Sequence, residues 1–387
     1  MRWYSVVEPS SFCKCALFFP SEACLLFQPF LAVCLSPVLE YRQLSFVPWA
    51  PAIVLGSLLV SRKSCSCRVS ISKLSPFAYE PRFKSGMPGG EFMVHRLLRL
   101  FPLYLLGTVL TYVVLVGFTF GDADGGDRIL AYTLQLIPQL GMLPAPDAFG
   151  SPDFYSLNTP AYTLFCELVI NLVYVTAFRR LSTRVLIGVI VVSAVVLICT
   201  ILHFGTISVG SLWSDWWGGL ARASFAFFAG VLAFRVVGSP AVVERPRHWA
   251  AIPLLLLLPV ICYIPSTPEL RPFVDIGMAV LLMFPLLLVC QSIRPGDRVG
   301  RLFMFGGKIS YAVYILQQPL REVLDRVDYH TTLLADIAPI GGIVAMAIVA
   351  VASYFAEKYY DRPVRRAVVR MIKLRAARRA SATSFAE

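Results

Sequence analysis

Glu167 stands inside an apolar stretch, residues 160–178, where an ionised carboxylate must find a partner or give up its charge. Thr163, Glu167 and Asn171 fall at i, i+4 and i+8, so on a helix they share one face. Such a stripe either ties neighbouring helices together or handles a proton or a polar substrate at depth. Arg222, three residues into the apolar stretch 219–237, is the second candidate. It is placed either to pair with Glu167 or to extend its guanidinium to the membrane edge. Ser310, Tyr314, Gln317 and Arg321 fall at i, i+4, i+7 and i+11, with Tyr311 and Gln318 on the neighbouring face. They suit the lining of a substrate path, or hydrogen bonds between helices. Arg96 and Arg99, with His95 adjacent, precede the apolar stretch 102–120. They either set topology and touch lipid phosphate, or clamp the phosphates of a cytosolic ligand through forked, charge-assisted bonds. The four histidines, His95, His203, His248 and His330, lie in basic segments, at a stretch end or in a loop, which suits structural or solvated roles rather than general bases. Cys65 and Cys67 have no second cysteine pair or nearby histidine, so no metal site is expected.

The composition explains why so few polar residues stand out. Of 387 residues, 57% are hydrophobic and 15% charged, and the mean hydropathy is +0.69. A soluble domain carries about 25% charged residues. The balance argues against a soluble enzyme, a disordered chain and a coiled coil, and the continuous apolar runs argue against a membrane β-barrel. A net charge of +12 reads as an orientation signal in the loops of a membrane protein rather than as a nucleic-acid footprint.

The elements that must position these residues begin near residue 96. Apolar stretches cover 102–120, 160–178, 185–204, 219–237, 250–264, 272–290, 303–320 and 334–355, with a weaker one at 129–143. The expectation is an all-α polytopic transmembrane bundle of about eight spans. Arginines cluster before the first stretch and after the second, fourth, sixth and eighth, whereas residues 121–158 carry five aspartates against Arg128. If 129–143 does not cross, or is re-entrant, all basic segments fall on one side. That places the C-terminus in the cytoplasm. Residues 1–90 hold six of the ten cysteines and no histidine, and their apolar runs are broken by Pro29, Pro48 and Pro51. They make neither a clean span nor a signal peptide. Three parts are expected: an atypical N-terminal region at 1–90, a membrane domain at 91–370 and a basic cytoplasmic tail at 371–387.

Five stretches together resemble the integral-membrane acyltransferase 3 family, which includes O-antigen and Nod-factor acetyltransferases. They are the basic segment His95 to Tyr104, the helix start Leu157 to Glu167, the Gly218 to Gly230 helix with Arg222, the Ser310 to Pro319 segment, and Asp361-Arg362-Pro363. The resemblance implies an acyl group, usually acetyl, carried from acetyl-CoA or another acyl-CoA to a hydroxyl of a cell-surface sugar or glycan precursor. It implies a carbohydrate or glycolipid acceptor, contact with membrane lipid and a place in the bacterial inner membrane, while the charge pattern and the cysteine spacing give no reason to expect nucleic acid or a metal. Carried over residue by residue, it implies catalytic roles for Glu167 and Arg222. Asn158, Tyr162, Asn171, Ser310, Tyr311, Tyr314 and Gln317 would line the substrate path, and Arg96 and Arg99 would meet the CoA phosphates. The family's first helix carries an Arg and a His about ten residues apart, and residues 1–90 lack that His. Gln317 replaces a frequent His, Tyr162 a Trp and Asp361 a Glu. The residues leave a catalytically inactive relative and a transporter or flippase-like protein as alternatives.

Overall fold

The computed structural model describes residues 88–120, 124–177, 181–207, 209–237, 267, 269–277, 279, 297–331, 337 and 340–384. Apart from one isolated bridge, Asp153 with Leu212, the regular structure among these residues is helical. The helices are α1 (Gly89–Thr119), α2 (Gly125–Leu140), α3 (Ala161–Ala177), α4 (Thr183–Phe204), α5 (Trp216–Val237), α6 (Arg271–Ile276), α7 (Asp297–Thr331), α8 (Ile340–Ala356) and α9 (Arg362–Ser384). A π-helical turn, Glu357–Asp361, joins α8 to α9.

The ends follow local chemistry. The side chain of Ser182 accepts from the Val185 amide and caps α4, and Gly205 ends that helix at φ +70°. Pro363 has no N–H to continue the ladder, and just before it the Arg362 amide reaches back five residues to the Glu357 carbonyl. α2 ends at Gly141, and Met142 follows at φ +62°, its carbonyl held by the Tyr155 hydroxyl at 2.6 Å.

Among the described residues, three helical stretches are long and apolar enough to cross a membrane: Gly89–Thr119, Thr183–Phe204 and Ile340–Ile372. Ala161–Ala177 is apolar but shorter. Along α4, Val185, Ile187, Val191, Val192, Val195 and Leu202 point outward, an apolar surface that suits lipid. This is the chain of an integral membrane protein. The expected stretches at 160–178, 185–204 and 219–237 coincide with α3, α4 and α5, 334–355 overlaps α8 from residue 340, and 303–320 and nearly all of 102–120 lie within the longer α7 and α1. The stretch at 250–264 and most of 272–290 lie outside the described residues.

α1 is the central helix, packing on α2, α3, α7 and α9, while α4 pairs with α5 and α7 with α8. Contacts fix the directions. Tyr311 of α7 meets Leu100 and Ile315 lies against Gly107, so α7 runs parallel to α1. Thr133 of α2 meets Tyr112 and the Gln139 carbonyl meets Tyr104, so α2 turns back along α1 and ends beside its middle. With 16 residues, α2 is about 24 Å long, short of a full crossing. The core beside α1 gathers Leu100, Leu103, Tyr104, Phe154, Tyr155, Leu164, Tyr314 and Ile315.

At Gly107, α1 comes close to Ile315 of α7. A Cβ there would lie 2.6 Å from the Ile315 side chain and 2.9 Å from Asn158 Nδ2. Gly107→Ala is therefore expected to push the helices apart and to cost about 1–3 kcal/mol. Thermal unfolding of the detergent-solubilised protein would read this.

Candidate active site

Among the described residues, one buried ion pair joins distant elements in the interior of the bundle. Arg96 Nη1 of α1 donates to Glu167 Oε1 of α3, and the residues are 3% and 4% exposed. The two helices run antiparallel, so side chains entering from opposite ends meet. Phe92, one turn before Arg96, lies under its guanidinium at 5.7 Å. Asn171 donates its amide to the Glu167 carbonyl at 2.8 Å and is fully buried. The Thr163–Glu167–Asn171 stripe thus faces inward.

Glu167 meets Arg96, and Arg96 occupies the core face of α1. Phe92, Arg96, Leu100, Leu103 and Gly107 fall at i, i+4, i+8, i+11 and i+15 and are all buried. That spacing is the signal in the sequence that places Arg96 inside.

Arg222 has a different job. It donates to the Ile207 and Val209 carbonyls at 2.8 and 2.9 Å and to the Tyr162 hydroxyl at 2.6 Å, and it lies 5.8 Å from the Tyr162 ring. The loop between α4 and α5 is thereby tied to α3. α6 holds the same loop: Asp275 Oδ2 accepts from the Ile207 amide at 3.0 Å, and Arg271 bridges Asp275 at 3.0 Å. Gly210, at φ +112°, lies so close to Gly219 that a Cβ would come within 2.5 Å of its Cα.

This loop and residues 141–160 form a cover over the start of α3. Phe154 donates its amide to the Ser211 carbonyl at 2.7 Å, and Trp213 Nε1 donates to the Ala145 carbonyl at 2.8 Å. The Phe154 ring packs among Tyr155, Phe165, Trp213 and Trp216. Two carboxyls sit in the cover. Burial raises the pKa of Asp153, and the nearby Asp215 adds to the shift. Burial also raises that of Asp215, against the amide bonds it accepts. Both folded values exceed the unfolded ones, so the folded cover binds protons more tightly and gains stability as pH falls toward the ordinary carboxylate range. Amide protection of residues 153–155 and 211–215, corrected for intrinsic exchange, is expected to rise as pH falls from neutrality toward the ordinary carboxylate range. An Asp153→Asn/Asp215→Asn double variant should flatten that slope.

On α7, Tyr314 donates to the Pro160 carbonyl at 2.6 Å and its hydroxyl meets Thr163 at 2.5 Å. Tyr311 donates to the Leu100 carbonyl at 2.5 Å. Ser310 and Gln317 are buried, and Ser310 bonds within its own helix to Gly307. Arg321 lies outside this group and pairs with Asp325 at 3.1 Å. Asn158 Nδ2 reaches the Ile315 carbonyl at 3.5 Å. Asn158, Tyr162, Asn171, Tyr311 and Tyr314 thus surround Glu167 and the first turns of α3. The Oδ1 atoms of Asn158 and Asn171 and Oε1 of Gln317 are buried acceptors with no hydrogen-bond donor, a polar capacity open to a bound hydroxyl. His95, His203 and His330 are exposed, and His95 lies 3.6 Å from Glu91. His248 lies outside the described residues. Among the described residues no three His, Cys, Asp or Glu side chains cluster as a metal site would require.

Long apolar helices packed around a buried charge pair define an integral membrane protein. The sequence profile of the acyltransferase domain matches residues 54–356, and the chain belongs to this acyltransferase 3 family. The match begins within the compositionally distinct N-terminal region. A curated relative, protein 2 in the picA locus of Rhizobium radiobacter, is 33% identical over 126 residues, which is 30% of this chain and 64% of the relative. The chain thus matches less than two thirds of that relative's length. No solved structure matches.

Proposed function

We propose that the protein transfers an acyl group, acetyl in the simplest case, from a CoA thioester to a hydroxyl of a cell-surface sugar or glycan precursor. The observation that carries this reading is the buried Arg96–Glu167 pair beside the Tyr314, Thr163 and Asn158 lining, in a chain of this family. The acceptor oxygen attacks the thioester carbonyl, a C–O bond forms, the C–S bond breaks, and the hydroxyl proton leaves with the thiol as CoA. Glu167, polarised by Arg96, orients the acceptor hydroxyl, and Asn158, Asn171, Ser310 and Gln317 supply hydrogen bonds along the path. Tyr162, Tyr311 and Tyr314 shape it, and Arg222 closes it through the loop cover. Arg99 lies on the donor side, among the basic segments that the charge distribution assigns to the cytoplasm of a bacterial inner membrane.

Membranes containing the protein, incubated with acetyl-labelled CoA, are expected to yield labelled glycan or glycolipid. A correctly inserted protein that labels no acceptor would overturn the reading, and net movement of a glycolipid without acylation would support a flippase instead.

A further inference from the structure

The outward face of α8 sets the level at which the hydrocarbon ends on this side of the bundle. Ile340, Ile343, Ile348 and Val351 are exposed along it, which suits lipid contact. From Ile340 to Lys358, at ~1.5 Å per residue, the helical path is about 27 Å, close to the ~30 Å of a hydrocarbon core. A band of aromatic rings and a lysine closes that path. Lys358 Nζ lies 5.5 Å from the centre of the Tyr354 ring and 4.9 Å from that of Tyr359, and Phe355 stacks on Tyr359 at 5.9 Å. Phe355 and Tyr359 are exposed. Such a band sits at the level of lipid headgroups. α9 begins one turn later, at Arg362.

The sequence of α9 is two-faced. Residues 362–384 carry eight Arg and Lys and no Asp or Glu. Val364, Val368, Met371 and Ile372 fall at i, i+4, i+7 and i+8 and share one face, and Arg362, Arg366 and Arg370 share the opposite one. Arg362 and Arg365 meet Glu357 and Asp361, whereas Arg366 and Arg370 are exposed and have no ion-pair partner among the described residues. Met371, Ile372 and Leu374 are 51%, 43% and 52% exposed. Continued straight, α9 would carry Met371 about 20 Å past Lys358, leaving this apolar face in water. The π turn Glu357–Asp361 stands between α8 and α9, at the kind of irregularity where helices change direction. A basic helix with an apolar face, starting at the headgroup level, has the pattern of one that lies in the membrane surface. A nucleic acid or an acidic protein would answer the charge alone, whereas an anionic lipid surface answers both faces.

We propose that α9 is an interfacial helix that binds anionic phospholipid. Met371 and Ile372 enter the headgroup layer, and the basic residues are held within a Debye length, ~8 Å, of the lipid phosphates. The inference is independent of the acyl-transfer reading.

The test is hydrogen exchange of the full chain in two nanodiscs, one of phosphatidylcholine and one with roughly a third phosphatidylglycerol. A helix without packing partners opens readily, so the amides of residues 366–384 are expected to exchange fast in phosphatidylcholine. In the anionic nanodisc they are expected to slow at least about tenfold, and roughly 1 M salt should reverse the gain. Arg366→Gln/Arg370→Gln should remove it, since each charge shifts the bound equilibrium about fivefold. Met371→Ser/Ile372→Ser keeps every charge and should remove most of it as well. Unchanged exchange in α1 and α3 verifies that both variants are folded. Equal exchange of wild type in the two nanodiscs would overturn the proposal. A gain that needs the arginines but not Met371 and Ile372 would overturn the interfacial placement. Protection in phosphatidylcholine that appears only when a nanodisc holds two copies would give the face to a second copy of the chain and overturn the lipid assignment.

Discussion

Glu167→Ala is expected to be among the most damaging single substitutions in the described bundle. It leaves the Arg96 guanidinium, 3% exposed, without its carboxylate. Removing one partner of a buried ion pair costs about 3–5 kcal/mol, because the remaining charge can neither reach water nor neutralise. An arginine cannot escape by deprotonation, unlike a lysine. The effect should appear as a large drop in thermal stability in detergent and as loss of exchange protection in the middle of α1 and α3. Glu167→Gln, which keeps an acceptor for Arg96, should destabilise less and still lose acyl transfer. Equal stability of wild type and Glu167→Ala would show that the pair does not form.

The second large effect is expected from Arg222→Met. Three donors are lost together, to Ile207, to Val209 and to Tyr162, and two loop carbonyls lose their partner. Hydrogen bonds to a charged group are worth about 1.5–3 kcal/mol each, but the flexible methionine refills the space. A net cost of about 3 kcal/mol is the expectation, confined to the loop cover. Protection of the amides at 207 and 209–215 should fall roughly 100-fold while the α1–α7 contact keeps its protection. A drop spread evenly over the bundle would contradict the assignment of Arg222 to the cover. Tyr162→Phe removes one of the three bonds and should give a smaller loss in the same segment.

The two arginines also show what was legible in the sequence. Apolar stretches sufficed for the α3, α4 and α5 boundaries to within two or three residues, since lipid-facing helices carry little else. The inward face of α3 was legible from the i, i+4, i+8 spacing of Thr163, Glu167 and Asn171. α1 and α7 run past the apolar stretches, because their polar ends still favour helix and pack on each other; Arg326 of α7 reaches the Phe118 carbonyl near the end of α1 at 3.5 Å. The Arg96 partner of Glu167 was harder to read, for a physical reason. A charge near the edge of an apolar run looks like an interfacial charge, and only the core-face spacing of Phe92, Arg96, Leu100 and Leu103 turns it inward. Arg222 has the same ambiguity, and in the fold it bonds loop carbonyls. The ties of Asp275 to Ile207 and of Tyr104 to Gln139 link segments 68 and 35 residues apart, distances over which a single sequence carries no periodic signal.

The central claim is that the Arg96–Glu167 pair works on the acceptor rather than only joining two helices. Its most direct test is acyl transfer by an Arg96→Met/Glu167→Leu double variant. Replacing both charges with apolar side chains of similar volume removes the unpaired-charge penalty that either single change leaves, so this protein should fold and insert about as well as wild type. Transfer from labelled acetyl-CoA is nevertheless expected to fall at least about 100-fold. A folded double variant that transfers within a few-fold of wild type would contradict it and reduce the pair to a structural tie.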